Sequence, residues 1–378
     1  MSKSIKILIT ISVLTAAWML LAPQYLRTSL IYWFANIDDY TIFENREVLV
    51  ENGEKWPQNE NYNHYQLDSI DRNYLEDHQT VAYLVIQNGE ILYEEYWDDY
   101  GKESLSNIFS ATKSIVSLLI GIAIDQGKIN SINDPIGKYL PEFSKDDRGM
   151  ITIKNLLSMS SGLDWDEAYS SPFSITTKAY YGKNLRKVST NQQLIETPGV
   201  RFRYQSGNTQ LLAFIVEAAT GETVSKYAEQ MLWKPMHATQ KALWSEDKKE
   251  GDEKAFCCFT SNARDLARFG QLILNKGQWE NKQLVSEDYI LEATRPASEL
   301  LNEEKTAPLN FYGYQFWVLP YQGINIPYMR GHLGQYIYSI REKNAVVVRL
   351  GKQKDKIHKG PITIDIPRYI DIASKIIK

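Results

Sequence analysis

The chain has 378 residues, with 42 basic and 46 acidic side chains and a formal net charge of -4. That length supports a full hydrophobic core and more than one domain. The mild negative charge, and the lack of a Lys/Arg stripe interleaved with aromatics, exclude a nucleic-acid partner. Cys257 and Cys258 are the only cysteines. Adjacent cysteines rarely pair, so two apolar thiols in a core are expected, with no disulfide framework. The five histidines (His64, His78, His237, His332 and His358) are scattered without metal-ligand spacing, and no metal or cofactor is expected.

Along the chain, Lys3 and Lys6 precede an apolar run from Ile7 to Ala22, interrupted by Thr10, Ser12 and Thr15. A basic region followed by an apolar one is the pattern of a signal peptide or, uncleaved, a signal-anchor. Residues 1–22 are therefore expected to export the chain. The product would be periplasmic, or anchored through residues 5–22 and facing outward; a buried N-terminal helix is the competing reading. Residues 23–75 have the character of a connecting region of loops and short helices, and residues 76–378 that of the main domain. Thr80 to Ile86 predicts a strand, Asn88-Gly89 a hairpin turn, and Ile91 to Trp97 the returning strand. A helix should run from about Ser110 to Gly127. Roughly residues 125–310 are helical and loop-rich. The loop 164–187 carries Trp165, Tyr169, Phe173, Tyr180 and Tyr181, which either line a cleft or pack the loop. Helices are predicted over Gln210–Ala219 and Asn262–Asn275. Strands return over Tyr312–Leu319, Tyr328–Ile340 and Ala345–Leu350, and a helix over Ile366–Ile377 closes the chain. Strands first and last, with helices between, predict an α+β domain. One sheet would join the chain ends and carry a helical insertion.

Ser110-Ala111-Thr112-Lys113 is the most informative stretch. Residues i and i+3 share a helix face. An apolar helix, Ile115 to Ile124, follows. A lysine buried there can lose its proton and activate the serine. A second copy, Ser245-Glu246-Asp247-Lys248, lies in a polar run and is expected on a solvated surface. Two further segments accompany the first copy. Tyr204-Gln205-Ser206 follows the Pro198-Gly199 turn, and Arg330-Gly331-His332-Leu333-Gly334-Gln335 opens a predicted strand.

With these segments the sequence resembles the serine β-lactamase and penicillin-binding-protein superfamily, from about Val81 onward. The nearest likeness is to the branch of class C enzymes, D-alanyl-D-alanine carboxypeptidases, esterases and 6-aminohexanoate-dimer hydrolases. It rests on Phe109-Ser110-Ala111-Thr112-Lys113-Ser114, Leu156 to Leu163, Thr209-Gln210-Leu211-Leu212 and Gly331-His332-Leu333-Gly334-Gln335. The resemblance implies a β-lactamase/transpeptidase-like fold, with an antiparallel sheet flanked by helices and an all-helical subdomain. It implies Ser110 as the acylated nucleophile and Lys113 as the group that takes or relays its proton. Tyr204 would hydrogen-bond Ser110 and move protons to the leaving group and from the deacylating water. The backbone N–H groups of Ser110 and Gln335 would form the oxyanion hole. Ser206, His332 and Gly334 would contact substrate.

Two departures stand out. Ser206 occupies a position where the family commonly has asparagine, and His332-Leu333 replaces Lys-Thr. A histidine is mostly neutral at pH 7, and leucine has no hydroxyl. Both changes point away from an efficient β-lactamase and towards an esterase, amidase or peptidase. Arg330, two residues before His332, either supplies the missing charge or is a solvated strand end. The function expected is an exported serine hydrolase that cleaves an amide or ester bond of a small molecule or peptide through an acyl-enzyme. A penicillin-binding or sensor protein that acylates without efficient turnover is the alternative. Pocket shape is expected to come from residues 164–187 and 280–312.

Overall fold

The computed structural model describes residues 2–377. Its centre is a six-stranded antiparallel sheet drawn from both ends of the domain. The strands are β1 (Thr80–Gln87), β2 (Glu90–Tyr96), β3 (Trp317–Tyr321), β4 (Ile324–Gly331), β5 (Gln335–Ile340) and β6 (Ala345–Gly351). They are ordered β2-β1-β6-β5-β4-β3. The β1–β6 pairing joins segments more than 250 residues apart, with Val85 opposite Val347. Both faces of the sheet are covered, so its strands are apolar almost throughout. Ala82, Leu84, Ile86, Val346 and Val348 face one core, which includes Leu266 and Phe269 of helix α3 (Ala263–Leu274). Tyr83, Val85, Tyr336, Tyr338 and Val347 face the other, closed by Ile366, Tyr369 and Ile370 of helix α4 (Asp365–Ile376).

The predicted strand over Tyr328–Ile340 is two strands. Backbone at Leu333, with φ of 60°, breaks the run between β4 and β5, so His332 sits on a connecting turn and does not open a strand. Arg349, fully buried on β6, pins this turn by donating to the carbonyls of Leu333 (3.0 Å) and Gly334 (2.8 Å). Residues 125–310 are a mixture of helices, most of them short, and loops. They also place two strands, Ala242–Ser245 and Phe259–Ser261, in a second, four-stranded sheet with Asn45–Val48 and Ser106–Asn107. The sequence predicts one sheet, and the structure has this second one as well. Its strands are two to four residues long and lack the alternation that marks a strand in sequence.

Two further expectations change. Ser245 is buried, not solvated, and its hydroxyl donates to Asn45 Oδ1 at 2.8 Å, while Lys248 is exposed. The second Ser-x-x-Lys copy is therefore split between a strand and the surface. Cys257 and Cys258 are buried as expected, but they are joined to each other in a vicinal disulfide. Residues Lys3–Leu21 form a helix. Among the described residues, no helix is long and apolar enough to cross a membrane.

The end of β4 lies against the turn that leads into the Ser110 segment. A Cβ placed on Gly331 would come within 2.0 Å of the Ile108 carbonyl oxygen, so only glycine fits this approach. Gly331→Ala should lower unfolding stability by about 1–3 kcal/mol, the scale of an overpacked core site. Urea denaturation of the two proteins checks this; equal midpoints would mean that the strand and the turn are not in contact.

Candidate active site

Ser110 lies in a short 3-10 turn, Phe109–Ala111, which runs directly into helix α1 (Thr112–Asp125). The turn is held tightly. Phe109 adopts φ of 46°, a left-handed conformation that non-glycine residues rarely take, and its N–H donates to Asn107 Oδ1 at 2.9 Å. Helix α1 is buried along nearly its whole length, which is why its first-turn lysine has no route to water. Lys113 is 1% exposed.

Three oxygens surround the Lys113 Nζ: Phe256 O at 2.7 Å, Ser110 Oγ at 2.9 Å and Ser206 Oγ at 3.0 Å. None is a carboxylate. Burial pulls the Lys113 ammonium down to about 8, against a weaker opposing pull from the charge of Glu167. Tyr204 lies near Ser110, whose hydroxyl acts weakly on its phenol, and its ring is 5.1 Å from Lys113 Nζ. Burial pushes the Tyr204 phenol well up, so it carries its proton at neutral pH.

Ser206 is the first residue of helix α2 (Ser206–Thr220), whose flanking Gln205 side chain makes no capping bond. Glu167 provides the cap instead, from the loop opposite. Its carboxylate accepts from the Ser206 N–H and from the Ser206 hydroxyl, both at 2.6 Å. The Tyr169 hydroxyl also donates to Glu167, at 2.5 Å. The loop is fixed against α2 by Trp165: a Cβ on Gly207 would come within 2.3 Å of that indole. Glu167 escaped the sequence reading because a lone glutamate in a 24-residue polar loop carries no periodic or spacing signal.

The hydrogen-bond directions are determined by valence. The Ser206 hydroxyl spends its proton on Glu167, so it accepts from Lys113. The Phe256 carbonyl can only accept. A neutral amine has two N–H groups and one lone pair. With both N–H groups so committed, the lone pair of neutral Lys113 faces the Ser110 hydroxyl.

The third motif borders the same space. His332 stacks on Tyr169, with centroids 5.7 Å apart, and meets Phe109 edge-on at 5.5 Å. Burial, and the nearby Lys354 charge, push the imidazole down to about 4, so it is neutral at pH 7. Gln335 begins β5, and its amide donates to the His332 carbonyl (3.0 Å) and the Gly351 carbonyl (2.6 Å), which holds the turn. Gly334 is the last residue of this turn and lies against Arg349. Arg330 is turned aside. Its guanidinium covers the Trp317 ring at 4.4 Å and donates to the Pro361 carbonyl at 3.1 Å. Trp317 in turn contacts Tyr204, at 5.6 Å between ring centroids.

Ser110 opens into a cavity of about 300 Å3. Its walls are the 3-10 turn, the loop around Tyr169, the helix with Tyr180 and Tyr181, the Phe256-Cys257 segment, and residues 29–35. No residue of 280–312 lines it, contrary to the sequence expectation, and Arg330 and Gly334 do not line it either. The loop aromatics divide: Trp165 is packing, while Tyr169, Tyr180 and Tyr181 line the cavity. Among the described residues one group has metal-ligating spacing, Glu54, His237 and Glu280, and none of the three borders this cavity.

The beta-lactamase family model matches residues 67–363, well over half of the chain. A 6-aminohexanoate-dimer hydrolase of Paenarthrobacter ureafaciens is 27% identical over 318 residues, which cover 79% of this chain and 80% of that protein. Among solved structures, a candidate 6-aminohexanoate-dimer hydrolase from Bacillus anthracis superposes with a TM-score of 0.74 at 19% identity, covering 94% of this chain and 95% of the other. A family VIII carboxylesterase superposes with a TM-score of 0.59 at 15% identity, covering 83% of this chain and 99% of the other. The chain belongs to the beta-lactamase family and is a serine hydrolase of that fold.

Proposed function

We propose that the protein cleaves an amide or ester bond through an acyl-enzyme on Ser110. The observation that carries the reading is the buried amine of Lys113, 2.9 Å from the Ser110 hydroxyl oxygen and with its pKa pulled down by burial. Neutral Lys113 takes the Ser110 proton as the oxygen attacks the substrate carbonyl. The backbone N–H groups of Ser110 and Gln335 receive the developing oxyanion, and the start of α1 adds a favourable potential. Tyr204, protonated and beside Ser110, gives its proton to the leaving group. Lys113, 5.1 Å from its ring, restores that proton. Water then enters, and the same groups in reverse order release the acid. His332 shapes the substrate side of the site, and Ser206 links Lys113 to Glu167. Arg330, held on Trp317, acts on Tyr204 through its charge.

Turnover separates this reading from a sensor that acylates once. The wild-type protein should hydrolyse p-nitrophenyl butyrate over many turnovers and be labelled by a fluorophosphonate. Ser110→Ala should abolish the labelling. Tyr204→Phe should keep the fold and lower kcat by about two to four orders of magnitude, the scale of positioned acid–base catalysis. Labelling that survives Ser110→Ala, or one stoichiometric burst from wild type, would sink the proposal.

The pH profile follows from the direction of the Lys113 shift. Only its neutral form accepts the proton, so kcat/KM for a neutral ester should rise with pH through about 8 and then level. The Glu167 charge favours the ammonium and so raises that midpoint. Glu167→Gln should move the rise to lower pH. A midpoint that stays in place would mean that another group titrates.

We also propose that the chain is exported, on the strength of Lys3 and Lys6 before the apolar run Ile7–Ala22. Expressed with its N-terminus intact and a C-terminal tag, it should appear outside the cytoplasm or in membranes facing outward. Recovery from the cytoplasm alone would refute this.

A further inference from the structure

The cavity that opens on Ser110 is walled without charge. Of the residues that line it, only His332 has an ionisable imidazole, and burial keeps that ring neutral at pH 7. Lys113 and Glu167 lie behind Ser206, and Arg330 is engaged with Trp317; none of the three borders the space. The polar groups of the wall are mostly spent inside the protein. Tyr180 donates to Asp39 at 2.7 Å and Tyr181 to the Tyr32 carbonyl at 2.6 Å, which leaves the faces of their rings towards the cavity. Thr177 donates to the Ser171 carbonyl at 2.8 Å, Thr176 to the Asp166 carbonyl at 2.7 Å and Ser29 to the Leu26 carbonyl at 2.9 Å. The sulfur of Cys257 is closed in its disulfide.

One wall comes from outside the span that the family model matches. Ser29, Trp33, Phe34 and Ala35 lie well before residue 67. Trp33 and Phe34 are 56% and 82% exposed, an uncommon placement for two large adjacent aromatics. A substrate group seated in the cavity would cover them. The hydrogen bonds of Asp39 and Tyr32 to Tyr180 and Tyr181 hold this N-terminal segment onto the wall.

We infer that this cavity takes an uncharged, apolar group next to the scissile bond, and that Trp33 and Phe34 determine how well that group is held. The inference rests on the acyl-enzyme reading above and names the substrate class for the same site: neutral esters or amides with an aliphatic or aromatic group, not carboxylate-bearing ones. A carboxylate placed there would lose its water and meet no cation and few free donors. An apolar chain would gain from burial against the aromatic rings.

The test uses the full chain and two matched pairs of esters. On the acyl side, p-nitrophenyl hexanoate is compared with the mono-p-nitrophenyl ester of adipic acid. On the alcohol side, hexyl acetate is compared with the acetate of 6-hydroxyhexanoic acid. At least one pair should favour the neutral member by about a hundredfold or more in kcat/KM, given the size of a charge-burial penalty. In the favoured pair, Trp33→Ala combined with Phe34→Ala should reduce the advantage of the six-carbon group over its two-carbon counterpart by about tenfold. Equal rates within both pairs, or a preference for either acid, would overturn this inference while leaving the acyl-enzyme reading in place. A double variant with unchanged chain-length preference would overturn the role of Trp33 and Phe34. No hydrolysis of any ester, with no fluorophosphonate labelling of Ser110, would overturn the acyl-enzyme reading itself.

Discussion

An amine kept out of water organises this site. Lys113 is buried at the base of an apolar helix, and none of its hydrogen-bond partners is a carboxylate. An ammonium in that place is costly, so burial pulls its pKa down to about 8 and the neutral amine becomes accessible just above neutral pH. Each neighbouring group then has a forced direction. Tyr204 holds its proton, Ser206 gives its proton to Glu167, and Phe256 presents a carbonyl. The proposed chemistry needs this polarity more than it needs any single distance. A water molecule or a carboxylate beside Lys113 would hold it as an ammonium and remove the base.

The fold supplies the exclusion of water and the rigidity. Helix α1 is buried between the sheet and α2, so the lysine in its first turn faces protein on all sides. The sheet brings the His332 turn against the Ser110 turn through the contact of Gly331 with the Ile108 carbonyl. Arg349, buried on β6, ties that turn down from below with two hydrogen bonds to its carbonyls. The Ser110 turn, the Tyr169–Tyr181 segment, Ser206, the Phe256-Cys257 segment and His332 thus meet across a space of about 300 Å3, and residues 29–35 close its side.

The departures from the family pattern have a consistent physical sense in this setting. A lysine at position 332 would place an ammonium against the Tyr169 and Phe109 rings, in a cavity otherwise without charge. The histidine found there lies against Tyr169 as a neutral ring. Serine at 206 is short, and its hydroxyl donates to Glu167 and accepts from Lys113. It therefore belongs to the proton network more than to the recognition of a substrate amide.

The sequence by itself determined the local and patterned features. The Ser110-x-x-Lys113 tetrad before an apolar helix, the Asn88-Gly89 hairpin and strands β1, β2 and β6 are legible because they depend on neighbours in the chain. The same holds for the helix that begins at Asn262. The tertiary structure alone decided what depends on long-range packing. Glu167 caps α2 across a gap of 39 residues, and the Tyr32 and Asp39 segment closes a wall built by Tyr180 and Tyr181. Arg330 turns onto Trp317, Cys257 pairs with Cys258, and the strand expected over 328–340 breaks at His332. None of these has a period or a spacing. Each is set by which surfaces remain to be covered, and which polar groups remain to be satisfied, once the sheet and its helices have closed.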